Sequence, residues 1–407
     1  MEKLEDKEEQ ANRATEDRKK LISGAHRIVI KLGTAVLINE GAGLALSRFY
    51  SFVEAIGELK LAGKEVLIVT SGAIGLGAQK LGLKARPKLL PQKQACAAVG
   101  QGLLMALYAD AFERLNIPIA QILLVEEDFN NRQRYLNLRG TVNELLHLGV
   151  IPVFNENDTV STAEIESKKI GTRINFGDND KLSALVASKV EADLLLILTD
   201  VEGLYTDDPR TVDNAKLIAI VEKITPEIEA LANSDSPSKS KLGRGGMATK
   251  LEAAKIATQS GCTTVVAGGK VPGIITRLSQ GEELGTIFMP KEGMTGKQRW
   301  IAFATTVRSS MAVNQGAKEA LIRRKASLLA AGVIKITGEF DRGDVVSIVD
   351  EGGMEFARGM VNYSSLEADK LVGLNSAMID NVIEPDHRNY DALVTRDNLV
   401  IFDHSKI

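Results

Sequence analysis

Residues 27–33 read RIVIKLG and residues 64–77 read KEVLIVTSGAIGLG, with a helical pattern near 46–62 between them. Each run is a short stretch of β-branched and aliphatic residues that stops at a glycine-bearing turn, and strands alternating with helices are the grammar of an α/β domain. The pattern repeats outward: a helix near 91–115, the strand PIAQILLV at 118–125, a helix near 131–148, and VIPVFNEND at 150–158. A helix near 180–191, ADLLLILTD at 192–200, a helix near 245–260 and TTVVAGG at 263–269 follow. Near-continuous apolar strands require a sheet covered on both faces. The expected architecture is therefore a three-layer αβα sandwich around a mostly parallel sheet, running to about residue 290.

Past MPKEGMTGKQRW at 289–300 the grammar changes. A helix over AKEALIRR (317–324) precedes short strands in GVIKITG, DVVSIVD and FARGMVNY, separated by turns such as FDRGD and EGGM, which reads as a small, mostly β unit. The expected division is a flexible tail over 1–22, the α/β domain over 23–292, the β unit over 303–387 and a second tail over 388–407. At 407 residues, two cores are the default.

Bulk chemistry narrows the classes. A composition of 44% hydrophobic and 25% charged residues is that of a folded globular chain. The formal charge of −3 offers no reason to favour nucleic acid, and residues 301–407 hold twelve Lys or Arg against fifteen Asp or Glu, a poor footprint for a phosphate backbone. Cys96 and Cys262 can form no disulfide framework and lack zinc-site spacing, which fits a reducing, cytoplasmic setting. No run approaches the ~18 consecutive apolar residues of a membrane span. The first twenty residues mix acids and bases and match neither a secretory signal nor a transit peptide.

The motifs point to phosphate. The Walker pattern and the Rossmann glycine order are both missing. Instead, Lys31, Leu32 and Gly33 come directly after the strand RIVI, and Ser71, Gly72, Ala73, Ile74, Gly75, Leu76 and Gly77 follow the strand VLIV. The C-terminal edge of an open α/β sheet is where ligands bind, and glycines there either bring backbone amides close to an anion or simply allow tight packing. Lys31 beside an apolar strand is costly without an anionic partner, unless it snorkels to solvent. Asn155, Glu156, Asn157 and Asp158 crowd one strand end, and Asp178, Asn179 and Asp180 open the next helix. One of those three suffices as an N-cap, and the remainder suits an amino acid's ammonium group. Thr199 and Asp200 end a further strand, and Gly243 to Lys250 (GRGGMATK) form a glycine-rich run ahead of a helix, again like a phosphate cradle.

Taken in order, KLGT, VTSGAIGLG, VFNEND, GDND, LTDVEGLYTDDPR and GRGGMATK resemble the amino acid kinase family across residues 27 to about 290, and SLLAAGVIKITGEFDRGDVVSIVD with GMVNYSS resembles the PUA domain. The resemblance implies ATP-dependent phosphorylation of a side-chain carboxylate, with glutamate as the acceptor that the NEND and GDND pairing indicates. It implies Lys31 and Lys250 on the transferring phosphoryl group, with Asp180 orienting both. It places Ser71, Gly72, Asp158, Asp178 and Asn179 on glutamate. Lys31, Gly33, Thr199, Asp200, Arg244, Gly245, Gly246, Met247, Ala248, Thr249 and Lys250 fall on ATP, and the amides of Gly33 and Gly72 accompany the clamp. Magnesium is expected to travel with the nucleotide, without protein ligands of its own. Proline as feedback inhibitor and a homodimer or homotetramer are further implications.

No general base is required, because a glutamate side chain of reference pKa about 4.3 is already ionised at neutral pH. His26, His147, His387 and His404 accordingly all fall outside the motifs. Two departures from the family pattern stand out: the segment IESKKIGTRINF (165–176) is longer than the compact pattern, and Arg244 stands where several members have threonine. An acceptor other than glutamate (aspartate, acetylglutamate or carbamate) is the competing reading within enzymes, and RNA binding through the C-terminal unit is the one outside them.

Overall fold

The computed structural model describes residues 16–39, 43–85, 87–161, 179–209, 211–232, 246–291, 298, 301–302, 307, 309–374 and 392–402. The chain divides into two compact units, residues 1–128 with 133–293 and residues 129–132 with 294–407.

In the first unit a helix over residues 16–24 (α1) leads into β1 (Arg27–Leu32), α2 (Thr34–Leu37), the small hairpin β2 (Ile38–Asn39) and β3 (Gly43–Leu44), α3 (Leu46–Leu61) and β4 (Glu65–Thr70). Next come α4 (Ala73–Lys80), α5 (Leu90–Glu113), β5 (Ile119–Leu124), α6 (Glu126–Asn130), α7 (Arg132–His147), β6 (Ile151–Glu156), α8 (Asn179–Lys189) and β7 (Leu194–Thr199). The unit closes with β8 (Ile220–Val221), α9 (Pro226–Ala232), α10 (Met247–Gln259), β9 (Thr263–Gly268), α11 (Ile274–Ser279) and β10 (Thr286–Phe288). The eight strands lie in the order β5-β6-β4-β1-β7-β9-β10-β8. All neighbours are parallel except β9 and β10.

Strand pleating assigns the two faces. Ile28, Ile30 and Leu32 of β1 join Val66 and Ile68 of β4 and Leu194, Leu196 and Leu198 of β7 in one core with α3, α5 and α11. The alternate residues, Val29, Lys31, Leu67 and Val69, turn to the opposite face, where α8 packs over β1, β4, β6 and β7. Lys31 is thus inside β1, paired in register with Val69 and Ile197, rather than just beyond the strand.

Helix α5 is long enough to cross a bilayer and contains a stretch apolar enough to do so. It packs instead against α4, backbone to backbone. A Cβ on Gly77 would lie 1.8 Å from the carbonyl oxygen of Cys96, and one on Gly100 1.8 Å from that of Ala73. Gly77 therefore serves packing, and so does Gly75, whose Cβ would meet Ile38. Of the SGAIGLG glycines named here, Gly72 alone needs a left-handed backbone, with φ +108°.

The expected N-terminal tail is partly structured. Arg18 is 1% exposed, its guanidinium donating to the carbonyl oxygens of Ala219 (3.1 Å) and Leu284 (2.5 Å), and Ile22 belongs to the core. These inward-facing side chains anchor residues 16–22, which composition alone reads as solvated.

The second unit contains β11 (Ser310–Val313), α12 (Gln315–Arg324), β12 (Val333–Thr337), β13 (Val345–Val349), β14 (Glu355–Met360), α13 (Ser365–Leu371) and β15 (Leu399–Ile401). Its sheet runs β12-β11-β13-β14-β15, antiparallel but for β11 beside β13. A separate core gathers Met311, Val346, Ile348, Phe356, Val361, Tyr363 and Leu393. Ser364 and Glu367 cap α13 reciprocally. The expected C-terminal tail is corrected as well: β15 pairs with β14, and Ala392, Leu393 and Val394 are buried. A three-residue strand at a sheet edge is too short to declare itself by alternation.

Candidate active site

The site begins with a charge that the fold buries completely. Asp180 lies in the first turn of α8, is 0% exposed, and faces the sheet surface from which Lys31 rises. Its Oδ1 is 2.5 Å from the Lys31 ammonium and its Oδ2 is 3.1 Å from that of Lys250 in the first turn of α10. The Thr249 hydroxyl donates to Oδ2 at 2.9 Å and also lies 2.9 Å from the Gly246 carbonyl oxygen. Both lysines are buried, at 5% and 4% exposure. Burial alone would push the Asp180 carboxyl up, but the charges of Lys31 and Lys250 outweigh it and hold the group well below the usual carboxylate range. These three side chains together, two ammonium groups and one carboxylate, sum to one positive charge in a desolvated place, an arrangement suited to receiving an anion.

Three strand or helix ends supply the surroundings. The Gly33 N–H donates to the Leu198 carbonyl at 3.2 Å, so the amide expected to face a phosphate is used within the fold. What Gly33 contributes is room: a Cβ there would lie 3.4 Å from the Lys31 ammonium and 3.2 Å from Leu198 O. Gly246 is the N-cap of α10 in extended conformation with no side-chain cap, which leaves the helix N-terminus beside Met247, Ala248 and Thr249 suited to an anion. Thr199 is buried at the end of β7, with its hydroxyl donating to exposed Asp200 at 3.0 Å.

Asn179, next to Asp180, opens a second cluster. Its Nδ2 donates to Thr70 O (2.7 Å), Ser71 Oγ (2.8 Å) and Asn155 Oδ1 (3.1 Å), while its Oδ1 is buried without a hydrogen-bond partner among the described residues. Gly72 follows Ser71 as the N-cap of α4. Asp158 sits half-buried in the turn after β6.

The structure thus brings Lys31, Asp180, Thr249 and Lys250 together in one group and Ser71 and Asn179 in an adjoining one. Asp178, Arg244, Gly245 and the 165–176 segment lie outside the described residues. Sequence reasoning passed over two participants, Asn155 as a partner of Asn179 and Gln101, whose Oε1 accepts from Asn155 at 2.9 Å. Gln101 carries no motif, and its one signal is a polar residue inside the apolar stretch 95–107 of the helix.

The family model described as the amino acid kinase family matches residues 26–268, more than half of the chain. The chain belongs to the amino acid kinase family. The PUA domain model matches residues 310–383 of the second unit. Among relatives of this amino acid kinase, the glutamate 5-kinase of Caldanaerobacter subterraneus subsp. tengcongensis is 45% identical over 381 residues, 93% of this chain and 99% of that protein. The glutamate 5-kinase of Moorella thermoacetica is 45% identical, covering 93% and 97% respectively. That of Methanococcoides burtonii is 43% identical over 95% of this chain and 99% of its own.

Proposed function

We propose that the protein transfers the terminal phosphoryl group of ATP to the side-chain carboxylate of L-glutamate, forming L-glutamyl 5-phosphate and ADP, the first step of proline biosynthesis. The observation that carries this reading is the buried Asp180 carboxylate bridging Lys31 and Lys250. A carboxylate oxygen of glutamate forms a bond to the γ-phosphorus while the bond from that phosphorus to the β,γ-bridging oxygen breaks. The nucleophile arrives ionised, so no base is needed, and the demand on the protein is positioning and charge neutralisation. Lys31 and Lys250 neutralise charge on the transferring group and on the leaving diphosphate, and Asp180 keeps both ammonium groups aimed. Ser71, Gly72, Asn179, Asp158 and Asp178 bind glutamate, while Thr199, Asp200 and the Arg244 to Lys250 segment hold ATP.

Magnesium fits as an ion that the triphosphate brings with it. Asp180 is no candidate ligand, because Lys31, Lys250 and Thr249 already engage its two oxygens. Among the described residues no three His, Cys, Asp or Glu side chains gather as a cage. The ion would supply charge neutralisation between phosphate oxygens.

Family resemblance carries three finer parts of the proposal: competition of proline with glutamate, self-association as dimer or tetramer, and a cytoplasmic setting. Self-association has support in α5, which leaves Ala95, Ala98, Val99, Gly102, Ala106 and Ala109 exposed. The buried free thiols of Cys96 and Cys262 accord with the cytoplasm.

ATP turnover with hydroxylamine trapping of the acyl phosphate, run across glutamate, aspartate, acetylglutamate and carbamate, tests reaction and acceptor together. Hydroxamate formation with glutamate in clear preference to the others is expected. Turnover without hydroxamate, or preference for another acceptor, would overturn the reading.

A further inference from the structure

We propose that Gln101 and Tyr108 of α5 are positioning residues for the amino acid substrate, acting through Asn155 and Thr70 to hold the Asn179 carboxamide with its oxygen toward the substrate's ammonium group. The proposal rests on the reading of Ser71 and Asn179 as part of the glutamate site.

An Asn side chain has one donor end and one acceptor end, and its neighbours choose between the two flips. Around Asn179 Nδ2 stand Thr70 O at 2.7 Å, Ser71 Oγ at 2.8 Å and Asn155 Oδ1 at 3.1 Å. The reverse flip would set Asn179 Oδ1 against a carbonyl oxygen and a carboxamide oxygen. The nitrogen therefore points inward, and Oδ1 is left buried and unmatched by any described residue. Such an acceptor is expensive to leave unmet, and an N–H donor from a bound ligand is the natural partner. In an amino acid that donor is the α-ammonium.

The orientation of Asn155 reinforces the choice that the Thr70 carbonyl already favours. Asn155 is 2% exposed, and its Nδ2 donates to Gln101 Oε1 at 2.9 Å, which turns Asn155 Oδ1 toward Asn179. Seven residues along α5, two turns and hence the same face, the Tyr108 hydroxyl lies 2.9 Å from Thr70 Oγ1. Tyr108 and Thr70 are both fully buried. One helix, with its backbone locked to α4 at Gly77 and Gly100, thus fixes the Asn155 acceptor through Gln101 and pins the side chain of Thr70, the residue whose carbonyl is a second acceptor. Removing the Gln101 acceptor takes away the bond that fixes the flip of Asn155, and Asn179 loses one of the contacts that hold its oxygen toward the ligand.

The test is steady-state kinetics on the full chain with glutamate, and with glutarate as the analogue lacking the ammonium group. Gln101→Met is expected to raise the KM for glutamate about tenfold, the worth of a hydrogen bond to a charged group, and to shrink the preference for glutamate over glutarate by the same factor. The KM for ATP and the thermal midpoint stay at their wild-type values. Gln101→Glu, which keeps an acceptor, restores the KM toward wild type, and Tyr108→Phe gives a smaller rise of about twofold. In an Asn179→Ala background, Gln101→Met adds nothing further. A Gln101→Met enzyme with unchanged KM for glutamate, beside an Asn179→Ala enzyme with a raised one, overturns the positioning role and spares the pocket. If Asn179→Ala itself leaves glutamate affinity and the glutarate ratio untouched, the pocket assignment falls and takes this proposal with it.

Discussion

Helix α8 carries a buried charge at each end, and the two ends handle it differently. At the N-terminal end Asp180 is fully buried between Lys31 and Lys250, with Thr249 as a further donor. At the C-terminal end Lys189 is 2% exposed, and its ammonium nitrogen has no hydrogen-bond partner among the described residues. Its one neighbour of note is the Tyr135 ring, 5.1 Å from nitrogen to centroid. Burial accordingly pulls the Lys189 amine down to about 7, whereas Asp180 moves the other way from what burial dictates. A buried charge with partners on two other elements is a tool, held ionised and aimed. A buried charge resting on an aromatic face is a local cost that the rest of the core offsets.

The comparison breaks most visibly at the paired end. Asp180→Asn removes the anion and leaves two buried ammonium groups facing each other, so stability should fall by about 3–5 kcal/mol and kcat by about 100-fold or more. Chemical denaturation and initial-rate kinetics on the same preparation read both, and an unchanged midpoint would mean that solvent already compensates the lysines. The other end should respond with the opposite sign. Lys189→Met keeps the volume and removes the charge, so at pH 7 it should stabilise the protein by about 1–4 kcal/mol and leave kcat alone; destabilisation by that variant would show that the ammonium has a structural use.

Smaller effects lie in the pH dependence. Between pH 7 and 10.5 the unfolded Lys189 amine holds a proton that the folded one has released, so wild-type stability should rise across that window. Lys189→Met should flatten the rise. For Asp180 the folded group binds its proton less readily than the unfolded one, whose ordinary value is 3.8. Its contribution is present above that value and is lost as pH falls below it. An acid limb that persists unchanged in Asp180→Asn would place its origin in other carboxylates.

Much of this was legible in residues and spacing. The β-branched and aliphatic runs leading to Lys31, Thr70 and Thr199 marked the strands, and the glycine-bearing ends of the first two marked the ligand edge, because strand periodicity and turn chemistry are local. Less was legible where a role depends on what lies across the sheet. Gly33 read as a phosphate amide, yet its N–H is spent on Leu198. Gly77 read equally as cradle or packing, and only the crossing with α5 decides for packing. Residues 16–22 and 388–407 read as tails, because Arg18 and the three residues of β15 gain their partners from distant chain. Gln101 was silent for the same reason, since its one informative contact is 54 residues away.

The central claim is that Lys31 belongs to a phosphoryl clamp and is not a structural counter-charge for Asp180. The direct measurement is Lys31→Ala, assayed for glutamate-dependent ATP turnover and, in parallel, for thermal unfolding. Turnover should fall by about three orders of magnitude in a protein that still unfolds cooperatively, since Lys250 and Thr249 remain on Asp180. A folded Lys31→Ala enzyme that keeps turnover near the wild-type rate would contradict the account.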